Sequence, residues 1–206
     1  MTKDELVEDL AYVRTLAEEG RHAPLIGGSF LVMFGTLLAV GYFAQWAALT
    51  SLFGPAPSSI YGYIWLAYGV LALAGFFVLL RRVRGKPGRA SVSNRVDQTV
   101  WRLSGMAITA VVVGCIGRMI LLDDYQAPNA IMGTAFASFG IALGVTATIS
   151  SQSWLHAFSL LAFTTSAVLW IYINEPWAYL LAATASILVL LLPGVMLVRR
   201  EPSAIV

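Results

Sequence analysis

Cysteine occurs once in this 206-residue chain, at Cys115, histidine occurs twice, and charged residues make up only 12% of the total. A lone cysteine excludes an intramolecular disulfide framework and any multi-cysteine metal or redox motif. So little charge excludes an ordinary soluble domain, in which about a quarter of the residues are charged. The net charge of +2 is too small to point to nucleic acid. No P-loop, HExxH helix or glycine-rich dinucleotide fingerprint is present. The acidic loop residues Asp123, Asp124 and Glu175 fall on the opposite face from His22 and His156, so no Ser–His–acid set can be assembled. The apolar runs carry no mid-membrane carboxylate of the kind that proton-coupled transport uses.

What the chain does contain is apolar length: 58% of its residues are hydrophobic and its mean hydropathy is +0.77. Buried in water, this much apolar surface would leave large exposed patches, so the solvent is lipid. A span needs roughly 20 apolar residues, and runs of that kind lie near 24–46, 59–80, 100–122, 130–149, 154–173 and 177–198. They are continuously apolar rather than alternating, which favours helices over barrel strands. Pro24, Pro128 and Pro176 fall at or just before the starts of three of them, where a missing N–H costs little.

The expected fold is therefore an all-α polytopic membrane protein, with six transmembrane helices in three hairpins behind an N-terminal cytoplasmic amphipathic helix. Residues 1–22 form that helix, 23–200 the membrane domain and 201–206 a short tail. No cleavable signal peptide is evident after Met1. Arg14, Arg21, the six basic residues of 81–95, Arg199 and Arg200 share one side of this layout, while the other side carries only Asp123, Asp124 and Glu175. Basic flanks stay cytoplasmic, so both termini are placed there. The arginine-rich, hairpin-based chain reads as a bacterial plasma (inner) membrane protein. A weak echo of VLLRRVRGKP in VMLVRREP follows from topology as readily as from an internal repeat.

Residues 3–19 are the one extramembrane helix. Thr2 and Glu5 form a capping box, Gly20 a stop, and Leu6, Leu10, Val13 and Ala17 an apolar stripe. Six acidic residues against two basic ones make the segment anionic, so anionic lipid would repel it. Its candidate mates are the chain's own basic 81–95 loop, a cytoplasmic protein partner, or a second copy meeting it through Leu6, Leu10 and Val13. Arg81, Arg82 and Arg84 are the partner-facing candidates of the loop.

Arg118 is the exception to the charge pattern, a cation near the outer end of the third run. It either snorkels to the interface and pairs with Asp123, Asp124 or Glu175, or it contacts an anionic group. Aromatic residues crowd the same side, among them Trp46, Trp65, Trp170 and Trp177, and suit either an interfacial belt or an outward pocket for an apolar or anionic ligand closed by Arg118, with Glu175 nearby. Gly133, Ala137, Gly140 and Gly144 mark a close helix contact, within the chain or between copies. Thr164, Thr165 and Ser166 either bond within their own helix or line a polar path. The two histidines could ligate a haem but are more simply interfacial, and no metal or cofactor is expected. The leading reading is a non-catalytic regulatory or scaffold component in the bilayer, meeting a partner through the N-terminal helix and the 81–95 loop. The alternative is a small transporter or channel using the outer aromatic pocket.

Overall fold

The computed structural model describes residues 25–86, 89 and 91–200. Among them the chain is all-helical: α1 (Gly28–Leu49), α2 (Ser59–Arg84), α3 (Val92–Leu121), α4 (Ala130–Ile149, entered through a 3-10 turn at Ala127–Asn129), α5 (Leu155–Ile171) and α6 (Trp177–Arg200). Five are long and apolar enough to cross a membrane, and α5 is a shorter apolar helix of 17 residues. The expected helix over 3–19, with Leu6, Leu10 and Val13, lies outside the described residues.

Glycine sets two tight seams. At the crossing of α1 and α6, a Cβ on Gly35 would lie 2.5 Å from the backbone nitrogen of Leu191, and one on Gly194 would lie 2.7 Å from that of Val32. Only a residue without a side chain permits this approach of two backbones. In the α4–α5 pair the small residues of α4 receive side chains: the Trp170 indole rests on Gly133, the Phe163 ring on Gly140 and the Ser159 hydroxyl on Gly144. The close neighbour of the Gly140–x–x–x–Gly144 step is thus α5 of the same chain. Ser159 and Ser166 donate to the Gly140 and Gly133 carbonyls, each at 2.7 Å, so these hydroxyls tie helices together. Thr164 bonds within its own helix.

The remaining helices are peripheral. α2 packs on α1 and α3 on α4, and their most apolar windows are only 6% and 11% buried, against 44–61% for α1, α4 and α6. Leucine, valine and phenylalanine side chains on these outer faces are stable only against lipid.

One boundary and one helix interior differ from the run-based expectation. α3 begins at Val92 rather than near 100, because Ser91 caps it by accepting from the Asn94 N–H. The first two turns are polar and so invisible to a hydropathy run. α6 carries a π-helical stretch at Ile187–Leu191 just before Pro193. Proline has no N–H to return to the preceding turn, and the backbone accommodates it with wider bonding.

Candidate functional site

Hydrogen bonds join one set of helix ends. Asn94 Oδ1 accepts from the Ile26 N–H at 3.2 Å, Ser93 donates to the Ile149 carbonyl at 3.2 Å, and Thr146 donates to Asp97 Oδ1 at 2.6 Å. The starts of α1 and α3 and the end of α4 therefore meet. The Arg200 guanidinium lies over the Trp154 ring, 5.1 Å from its centroid, which brings the end of α6 to the start of α5. A Cβ on Gly28 would lie 2.9 Å from the Val198 nitrogen, which adds α6 to the start of α1.

The cations follow. Arg81, Arg82, Arg84, Arg95, Arg199 and Arg200 are all exposed. They belong to the α2 C-terminus, the α3 N-terminus and the α6 C-terminus. Arginines in the last turns of α2 and α6 also match the negative ends of those helix dipoles.

Within this end Asp97 is buried, with 4% of its surface exposed. Its partners are the Thr146 hydroxyl and the Trp101 side chain, and among the described residues no cation pairs with it. A Cβ on Gly27 would lie 3.2 Å from Asp97 Oδ2, so the carboxylate stands against the first turn of α1, whose dipole is positive there. The neighbouring Gln98 amide nitrogen is buried and has no hydrogen-bond partner among the described residues. Run-based reading passed over this cluster, although one signal was available: Asp97 is the only acidic residue between Glu19 and Asp123.

At the opposite end Arg118 is 62% exposed and spends its charge locally. Its Nη2 and Nε donate to Asp124 Oδ2 at 2.7 and 3.1 Å, and Asp124 Oδ1 accepts from the Gln126 and Ala127 N–H groups at 3.2 Å. The pair locks the turn between α3 and α4. The Arg118 bond holds the Asp124 carboxyl below its ordinary range.

The tryptophans divide. Trp65 donates to Gln45 Oε1 at 3.2 Å and meets Tyr42 edge-on at 5.1 Å and Tyr68 at 5.6 Å, a half-buried cluster between α1 and α2 that Tyr179 of α6 joins. Trp46 packs on Phe43 and against the core. Trp170, 49% exposed, covers Gly133, while Trp177, 41% exposed, packs at a tilt on Tyr172. Glu175 contributes backbone bonds to the turn before α6, and among the described residues its carboxylate makes no ion pair. The structure thus brings Trp65 to Tyr42 and Gln45, which sequence reasoning did not single out, and sets Arg118 on Asp124. His156 is exposed, and His22 lies outside the described residues.

No family model matches the chain, and comparison with curated proteins and with solved structures finds no match.

Proposed function

We propose that this is a non-catalytic multi-pass membrane component, regulatory or scaffolding, which presents a basic cytoplasmic face to an acidic protein segment. Six crossings in three hairpins, with both termini on the cytoplasmic side of a bacterial inner membrane, complete the reading. The observation that carries it is the gathering of six exposed arginines at the end of the bundle where residues 1–24 join α1. Basic flanks favour the cytoplasmic side, and opposite charge steers an acidic partner to such a surface. The acidic segment 3–19, through Leu6, Leu10 and Val13, takes part in recruiting that partner. Deleting residues 2–20 and repeating a crosslinking pull-down tests the reading: the set of captured proteins changes if the segment is a docking element, and an unchanged set removes the idea.

A second reading, a small transporter or channel with an outward aromatic pocket, draws support from the Trp65–Gln45–Tyr42 cluster, where a buried polar amide sits between a buried tyrosine and a half-buried tryptophan. In that reading the ligand meets Trp65 and Gln45, and Arg118 contributes to the rim. Substrate-induced change in tryptophan fluorescence that disappears in Trp65→Phe is its expected signature.

A further inference from the structure

A groove of about 590 Å³ runs along α1 between α2 and α6 at the basic end of the bundle. Its size falls within the roughly 300–1,000 Å³ of small-molecule sites. Val32 and Met33 of α1 form the floor, Gly75, Val78 and Leu79 one wall, and Val195 with Val198 the other. Met33 Sδ lies directly against Gly75, where any larger residue would push it aside. The π-helical stretch and the Pro193–Gly194 step come just before Val195 on the α6 wall.

The polar groups of the groove stand at one mouth. Ser29, in the first turn of α1, and Arg199 of α6 both line it. The α2 stripe Gly75–Val78–Leu79 continues one helical turn further at Arg82, which is exposed. An apolar trough that ends at an arginine and a hydroxyl, with a second arginine one turn further along α2, matches one kind of occupant. It is an amphiphile with a hydrocarbon chain and an anionic head. The surrounding solvent supplies such a molecule, because anionic phospholipids attract basic groups at the membrane surface.

The geometry points to a binding site for one anionic phospholipid, its acyl chain in the α1–α2–α6 groove and its phosphate at Arg199 and Arg82. The inference needs lipid around the bundle and does not require the protein partner proposed above, so either can fail alone. Arginine suits the role because its planar fork meets phosphate oxygens in pairs.

Native mass spectrometry of the full-length detergent-solubilised protein, titrated with phosphatidylglycerol or phosphatidylcholine, tests the assignment. One phosphatidylglycerol per chain is expected to bind saturably and in preference to phosphatidylcholine. At about 1 kcal/mol per surface arginine, Arg82→Gln or Arg199→Gln weakens the preference about fivefold and the double variant about thirtyfold. Val78→Trp fills the groove from an exposed position and removes binding of both lipids, whereas Arg118→Gln leaves it unchanged. Circular dichroism and elution volume identify variants that remain folded. Binding without saturation, equal binding of the two lipids, or a preference that survives the double variant would overturn the site. So would an intramolecular crosslink from Val195 to residues 3–19 in preparations that retain no lipid, since the groove would then hold the chain's own segment.

Discussion

Replacing Gly35 by alanine tests the α1–α6 seam with the smallest available perturbation. The added Cβ would lie 2.5 Å from the Leu191 nitrogen and 3.0 Å from both Leu191 Cα and Leu190 Cβ. Two of those three atoms are backbone, so no side-chain rotation relieves the clash. Comfortable carbon contacts begin near 3.5 Å, and the helices must separate by about 1 Å to reach them. Overpacking of this order costs about 1–3 kcal/mol. Alanine also gains up to about 1 kcal/mol over glycine in a helix interior, which would mask part of the loss.

Gly69→Ala in α2 is the matching control, because nothing lies within 4 Å of the Cβ it would add. The propensity gain is common to both variants, so their difference isolates packing. On the scale of about 2–4 °C per kcal/mol for a chain of this size, Gly35→Ala should melt roughly 2–12 °C below Gly69→Ala. Intrinsic tryptophan fluorescence in detergent reads the transition. Gly69→Ala is expected at or above the parent. Equal melting temperatures for the two variants would refute the close crossing of α1 and α6 on which the bundle is built.

Three further outcomes follow from named contacts. Asp97→Ala leaves the Thr146 hydroxyl without its acceptor inside the bundle and should cost about 1–3 kcal/mol; Asp97→Asn, which can still accept, should cost less in the same melting assay. Asp124, lowered by its bond to Arg118, stabilises the α3–α4 turn above the ordinary carboxylate range, and that contribution is lost as pH falls through the depressed value. The protection of the Gln126 and Ala127 amides, taken relative to their intrinsic exchange at each pH, should fall on acidification, with the transition moved to higher pH by Arg118→Gln; an unmoved transition would contradict the pairing. Ser166→Ala, which removes the 2.7 Å bond to the Gly133 carbonyl, should lower the melting temperature more than Thr164→Ala, whose hydroxyl bonds only to its own helix at Leu161.

The apolar helices were legible because lipid demands continuous hydrophobic runs, and each run yielded a helix within a few residues at most ends. The start of α3 was not, since its first turns are polar and rest on the Ser91 cap instead of on burial. Asp97 hid in that stretch. For Arg118 the spacing offered Asp123, Asp124 and Glu175 as partners, and only the geometry of the turn, with Asp123 in left-handed backbone, selects Asp124. Which helices touch was beyond periodicity, because a transmembrane helix can be apolar on every face. The glycines at 133, 140 and 144 marked a close contact without saying that an indole, a phenyl ring and a hydroxyl would fill it, and Gly35 and Gly194 went unmarked.

The proposed docking role is tested most directly by a photo-crosslinking amino acid placed at Ser91 in living cells, beside the basic ends of α2 and α3. The account predicts an intermolecular adduct that disappears when Arg81, Arg82 and Arg84 are changed together to glutamate. An adduct that survives this charge reversal, or one formed solely with the chain's own residues 3–19, would contradict it.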